Sequence, residues 1–234
     1  MWIWRHGDRS PTAYLRNLSV SKNSWVFGGG GYGELTTIGM NEQFELGKKM
    51  KQRYIDHNYL SKYYDSKEVF IRSTDKNRTL ISAMSNMLGM FSSTGRTGID
   101  IPDNPNWPKG YMPVPIHAPS EYSDDCLLNS MCKSDLTFEL YLDPNSKPVF
   151  KIFYLKNPID NEFEDVTNQI KQCKKVEYCD LQVLLEIANE YQPGENGCEN
   201  EGRGKTRRHL FSGVGRINGF LWILVVLYGF YMFI

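Results

Sequence analysis

Charge of neither sign is in excess. Lysine plus arginine and aspartate plus glutamate number 27 each, so the formal net charge is zero. A nucleic-acid surface needs a basic excess or a basic stripe, and this composition argues against one. Histidine is scarce, with four in 234 residues, and no two of the five cysteines have Cys-x-x-Cys spacing. A zinc site is therefore not expected, and neither is another metal or cofactor. Cysteine is missing from the first 125 residues; Cys126, Cys132, Cys173, Cys179 and Cys198 all come later. With no metal to hold, they suit disulfides in an oxidising compartment, and the odd number leaves one over. A secretory signal is not visible either, because Met1 runs directly into an apolar strand with no basic n-region and no cleavage site. That leaves two expectations, a cytosolic protein or a chain whose start lies further upstream.

What is present begins at Arg5-His6-Gly7-Asp8-Arg9-Ser10-Pro11, just after the apolar run Met1-Trp2-Ile3-Trp4. Guanidinium groups beside an imidazole disfavour its protonation, since like charges repel. Arginine forks match phosphate oxygens in bidentate geometry. The segment therefore reads as a phosphate clamp around a neutral, nucleophilic His6, with a solvated arginine turn as the plainer alternative. Trp2 to Arg5 reads as a buried strand with the motif at its carboxyl end, where open α/β sheets bind ligands. Gly28-Gly29-Gly30-Gly31-Tyr32-Gly33 is a flexible loop, not a dinucleotide fingerprint, because no strand precedes it.

Met40, Phe44, Leu46, Gly47, Met50 and Tyr54 recur at near-helical spacing, with Thr36 or Thr37 as N-cap and lysines towards the end. Glu68 to Ile71 is a second strand. It runs into Arg72-Ser73-Thr74-Asp75-Lys76-Asn77-Arg78-Thr79, where Ser73, Thr74 and Asp75 offer capping oxygens. Leu80, Ala83, Met84, Met87, Leu88 and Phe91 then form an apolar helical stripe. Arg72 thus marks a second strand-to-helix junction, where a helix N-terminus favours an anion. Two sequons occur, at Asn17 and Asn77, and the second is expected to lie on the helix and stay unmodified.

The first segment resembles the Arg-His-Gly-x-Arg-x-Pro signature of the histidine acid phosphatases. The second resembles their Arg-Ser-Thr-Asp-x-x-Arg-Thr motif, and Leu35-Thr36-Thr37-Ile38-Gly39-Met40 is similar to the Leu-Thr-x-x-Gly-Met helix between them. The resemblance implies a phosphoglycerate mutase-like α/β fold, a mostly parallel sheet with flanking helices and a helical cap, incomplete at its C-terminal end. It implies a phosphohistidine on His6, with phosphate held by Arg5, Arg9 and Arg72. Pro113-Val114-Pro115-Ile116-His117 is similar to a Pro-x-Pro-x-His segment of the family, with His117 structural or in a pocket wall. Cys132 falls near a family cysteine that bonds to one late in the chain. Family members also carry a late His-Asp dipeptide, whose aspartate protonates the leaving alcohol. This sequence has none: His209 is followed by Leu210, and the general acid is unassigned.

The later chain is read from pattern alone. Asp124 to Lys133 and Asp135 to Leu142 are expected as short helices or turns. Phe163, Val166 and Ile170 share one helical face, and Leu181, Leu184, Leu185, Ala188 and Tyr191 form another stripe. The domain is expected over 1–193, followed by a polar and basic linker at 194–216. Residues 217–234 carry no charge and number 18, barely enough for a membrane span or anchor. Basic residues before that segment favour a cytosol-facing tail anchor; the cysteines and the family favour a lysosomal or extracellular site. The expectation is an acid phosphatase acting on phosphomonoesters, small molecules or phosphoproteins, with a homodimer compatible. The alternative is a membrane-anchored phosphate-binding protein of impaired activity.

Overall fold

The computed structural model describes residues 1–12, 21–118, 135–156, 162–190 and 230–233. Its elements in chain order are β1 (Trp2–Ile3), α1 (Thr37–Met50), β2 (Val69–Arg72), α2 (Asn77–Phe91), β3 (Asp135–Leu142), β4 (Pro148–Leu155), β5 (Glu164–Asp165), β6 (Cys179–Asp180), α3 (Leu181–Glu190) and β7 (Phe230–Phe233). The class is α/β, as expected. The sheet order is β2-β7-β1-β3-β4-β5, with β6 also paired to β4. Only β2, β7 and β1 run parallel; every pairing beyond β1 is antiparallel. The sheet is thus mixed rather than mostly parallel.

The antiparallel half lies where helices or turns were expected. Asp135–Leu142 is a strand because Thr, Phe, Leu and Tyr alternate along it and pair residue for residue with Pro148–Leu155. The Asp143 carboxylate closes the hairpin, accepting from the Asn145 and Lys147 amides at 2.9 and 2.8 Å. The face shared by Phe163, Val166 and Ile170 does not form a helix. Glu164–Asp165 is a strand there, followed by two short 3-10 turns, and Phe163 packs on the main core while Ile170 packs on a smaller one. The helix at Leu181 forms as read. Residues 119–134 lie outside the described residues, and with them Cys126, Cys132 and the expected start of the helical cap.

The uncharged tail, 217–234, is expected as a membrane span or anchor; its last described residues form a strand. Phe230–Phe233 lies between β1 and β2, parallel to both. A short run of aromatic and aliphatic residues suits a buried strand as well as a helix. Residues 217–229 lie outside the described residues. Among those described, no helix is long and apolar enough to cross a membrane.

The main core lies between the sheet and the α1–α2 pair. Trp2 and Trp4 stack at 4.4 Å on one face of β1 and are buried against Leu46, Met50, Ile71, Met87 and Phe91. A smaller core on the opposite face holds Phe150, Leu140 and Ile152 against Val183 and Leu184 of α3. The parity of β4 separates the two: Leu155 belongs to the first core, while Phe150 and Ile152 belong to the second. A Cys173–Cys179 disulfide ties this smaller layer to β6. Beyond α1 the helix continues as a π-helical turn, Lys51–Ile55. From it Arg53 packs over Phe153 and Phe163 and pairs with Glu139 of β3 at 2.7 Å, joining the two halves.

Glycine sets how closely the helices approach. An ideal Cβ on Gly47 of α1 would lie 2.0 Å from the Asn86 carbonyl oxygen; one on Gly89 of α2 would lie 2.0 Å from that of Phe44. This contact also explains why the buried face of α2 departs from the apolar stripe. Ser82, Ser85 and Asn86 are buried while Met84 is 54% exposed, because only small or backbone-hugging groups fit under α1. Replacing Gly47 or Gly89 by alanine is expected to lower stability by about 1–3 kcal/mol through overpacking. Alanine's better helix propensity, ~1 kcal/mol, opposes this without cancelling it. Urea unfolding measures the difference, and a gain in stability would show that the helices have room to part.

Candidate active site

The chain leaves the sheet after Ile3, and its backbone polar groups must find new partners. Side chains from three elements supply them. The Arg5 amide donates to Asp135 Oδ1 of β3 at 3.4 Å, and Gln43 Nε2 of α1 donates to the Arg5 carbonyl at 3.0 Å. The Gly7 amide donates to Ser82 Oγ of α2 at 3.2 Å. The Asp8 amide donates to Glu42 Oε2 at 2.8 Å, and the Ser10 amide to the Glu34 carbonyl at 2.9 Å. Gln43, Ser82 and Asp135 are all buried.

The turn is also pressed onto the first turn of α1. A Cβ on Gly7 would lie 2.3 Å from the Gly39 carbonyl oxygen, and one on Gly39 would lie 2.2 Å from that of Asp8. Thr36 caps α1, accepting the Gly39 amide at 3.0 Å, and its hydroxyl also contacts Asp8 Oδ2 at 2.7 Å. Asp8 is thereby occupied in holding the helix start. The glycine loop packs against the motif, with Ser10 Oγ donating to the Gly31 carbonyl and the Gly33 amide to Pro11. Gly28 to Gly31 and Gly33 all have positive φ, between 62° and 105°, which glycine alone adopts without strain.

These restraints fix His6. Its Nδ1 lies 2.8 Å from the Gly7 carbonyl oxygen. A carbonyl only accepts, so Nδ1 carries the proton and Nε2 the lone pair. Arg9 Nε donates to that Nε2 at 3.3 Å. The His6 pKa is lowered to about 4, first by burial and then by the charges of Arg5, Arg78 and Arg9, against the Gly7 bond that raises it. The sequence reading attributed this depression to the arginines; burial is the larger cause. Burial, Arg78 and Arg5 likewise lower the pKa of Arg9, although a guanidinium stays charged regardless.

Arg78 was not among the expected site residues. It lies in the first turn of α2, and its Nη1 is 3.6 Å from where a Cβ on Gly33 would stand. Its Nε is buried with no hydrogen-bond partner among the described residues. None of Arg5, Arg9 and Arg78 forms a salt bridge among those residues. Three cations thus converge on one neutral ring, and none forms a salt bridge among the described residues although Asp8 attracts Arg9; the excess of positive charge suits an anion.

Arg72 ends β2. Through β7 it stands level with Ile3, two strand spacings or roughly 10 Å away. It is at the same sheet edge as the motif, but it is not among the charges that shift His6. Ser73, Thr74 and Asp75 do not cap α2; Lys76 holds the N-cap position, and the Thr79 hydroxyl donates back to the Thr74 carbonyl at 2.8 Å. His117 pairs with the edge of β2 through its backbone and stacks on Phe70 at 4.5 Å, in a structural role. His209 lies outside the described residues.

One further titratable group adjoins the motif. Asp135 is 6% exposed, and burial pushes its carboxyl up to about 7, with Glu42 adding to the effect and the Arg5 amide and Lys49 opposing it. The residues missed in the sequence left some signal. Gln43 and Ser82 are polar residues on the inward faces of amphipathic helices. Arg78 lies inside the second motif, in the first turn of α2.

The sequence profile described as the histidine phosphatase superfamily (branch 2) matches residues 1–196. The Caenorhabditis elegans protein named "Putative acid phosphatase F26C11.1" is 44% identical over 133 residues, 56% of this chain and 30% of that protein. Bovine prostatic acid phosphatase is 38% identical over 162 residues, 69% of this chain and 36% of its own. Human lysosomal acid phosphatase is 38% identical over 115 residues, 49% and 25% respectively. The chain therefore spans about a third of the length of the curated relatives it matches. A profile match that runs through both arginine motifs and on past β6 and α3 decides the family: this chain belongs to branch 2 of the histidine phosphatase superfamily.

Proposed function

We propose that the chain is an acid phosphatase that hydrolyses phosphomonoesters through a phosphohistidine on His6. The observation that carries this reading is the tautomer of His6, with Nδ1–H bound to Gly7 and the Nε2 lone pair turned towards Arg9. In the first step that lone pair attacks phosphorus, the P–O ester bond breaks, and the leaving oxygen takes the bonding electrons as an alkoxide that picks up a proton from water. Water then attacks the phosphohistidine, the P–N bond breaks and phosphate departs. Guanidinium groups neutralise the equatorial oxygens, since phosphoryl transfer depends on positioning and electrostatics. Arg5 and Arg9 fill that role together with an arginine of the second segment. Arg72 is the residue the motif suggests; Arg78 has the stronger physical support, because its charge already bears on His6 and Arg9. A ring with a pKa of about 4 stays neutral in mildly acidic medium, which suits an acid phosphatase. The relatives' names and the Cys173–Cys179 disulfide support a lysosomal or extracellular site.

A second reading, phosphate binding without turnover, is favoured by one observation: the sequence contains no His-Asp dipeptide. A trapping experiment separates the two. Acid-stable linkages are removed, and label from a phosphomonoester is sought on His6. The enzyme reading expects label that forms and clears, absent in His6→Ala; retained phosphate affinity without label would establish the binding reading instead.

Two further outcomes follow from the same geometry. A general acid contributes ~10²–10⁴-fold where the leaving group needs a proton, and none is assigned here. Turnover should therefore fall steeply as the leaving alcohol becomes less acidic, so that p-nitrophenyl phosphate is hydrolysed at least about 100-fold faster than an alkyl phosphate. Equal rates would reveal a proton donor. Arg78→Ala should lower kcat/KM by roughly 100-fold or more, and Arg72→Ala by less, which steady-state kinetics on the two variants can rank.

A further inference from the structure

Asp135 and Gln43 hold the two polar groups of one residue, Arg5, and have no part in the phosphoryl-transfer steps. The sheet ladder on β1 ends at Ile3, so nothing in the sheet fixes Arg5. Asp135, the first residue of β3, accepts its N–H; Gln43, from the helix on the other side, donates to its C=O. Both side chains are at least nine-tenths buried, at 6% and 1% exposure. The residue they hold carries the first guanidinium of the clamp and precedes the nucleophile. We infer that Asp135 and Gln43 are positioning residues of the anion site, acting through the Arg5 peptide, and that Asp135 does so as a neutral acid. The inference rests on the anion-site reading above.

The need for the neutral form follows from its surroundings. Its neighbour across the hairpin is Leu155, which is fully buried. The charged groups that bear on it are Lys49 and Glu42, both from α1, and the Arg5 amide is its hydrogen-bond partner. The attraction of Lys49 does not offset burial, and the carboxyl keeps its proton to about 7. Once ionised, Asp135 sets a buried anion, with no salt bridge among the described residues, behind the residue that should face the phosphate. The negative charge then opposes a bound dianion and draws Arg5 away from it. Asp135 thus confines tight anion binding to the acidic side of neutrality, while His6, titrating near 4, is already neutral throughout that range.

Sulfate is the suitable probe, because it stays a dianion across the window. Its affinity for the full chain is measured by calorimetry from about pH 5.5 to about pH 8.5, for the parent, Asp135→Asn and Asp135→Ala. The parent should lose roughly tenfold in affinity as pH rises through about 7. Asp135→Asn keeps an acceptor for the Arg5 amide without the charge; it should match the parent at low pH and stay flat above it. Asp135→Ala should bind about tenfold more weakly at every pH, having lost the acceptor. If the alanine variant does not fold, the asparagine comparison still decides.

Stability gives a second readout with a defined sign. The unfolded carboxyl titrates near 3.9 and the folded one at about 7, so the native state holds its proton longer. Stability of the parent therefore falls as pH rises from about 4 to about 7, and Asp135→Asn abolishes that fall. An alkaline loss of sulfate affinity that persists in Asp135→Asn overturns the inference and leaves the anion site standing. A parent chain that binds no sulfate at any pH removes the anion-site reading itself.

Discussion

Arg5, Arg9 and Arg78 crowd a half-buried imidazole with no salt bridge of their own among the described residues, and the local structure follows from that constraint. Like charges at this spacing repel, and a turn that carried them loosely would splay. The backbone of the motif is instead held at the Arg5, Gly7, Asp8 and Ser10 positions by partners from β3, α1, α2 and the segment before α1. Fixing the peptide holds the charges in place while leaving their guanidinium groups unneutralised. That is electrostatic preorganisation, in which the cost of assembling the charges is met during folding rather than when an anion arrives.

The same requirement explains the glycines. Side-chain clamps of a few ångströms reach the motif only if the helices bearing them lie against it. Gly7 and Gly39 permit the approach of α1 to the turn, while Gly47 and Gly89 permit that of α2 to α1. Ser82 reaches Gly7 and Arg78 reaches the glycine loop because α2 is drawn in by this packing. The helix pair therefore serves the site as much as the core, and its buried small polar face is part of that arrangement.

Some of this could be read directly from the sequence. The strand–motif–helix order at both junctions, Thr36 as cap and the helix at Leu181 depend on local signals, namely periodicity and capping chemistry, which survive without tertiary context. In the antiparallel half the alternation of Asp135–Leu142, with Leu136, Phe138, Leu140 and Leu142 on one parity, is a local strand signal, while its partner and register depend on the fold. The site was half legible. His6, Arg5 and Arg9 sit in one contiguous turn, but Arg78 lies 69 positions beyond Arg9 and depends on how α2 is aimed, which is set by the glycine contact with α1. Burial as the main cause of the depressed His6 pKa was equally out of reach, since no local pattern reports how much water is excluded from a turn.

The mixed sheet gives the two halves separate roles. The parallel strands β1 and β2 end at the same edge and deliver both arginine motifs to it, as the carboxyl ends of parallel strands do in α/β folds. The antiparallel half contributes no cation. It sets a carboxyl, Asp135, against the back of the motif, and Arg53 bound to Glu139 locks that half to the turn after α1. A group at the start of β3 is thus held against Arg5 by two independent attachments, the β1–β3 pairing and the Arg53 bridge. Asp135 could not relieve its burial by moving away unless one of these gave way. Burial that cannot be relieved by movement is the physical cause that raises the Asp135 carboxyl pKa.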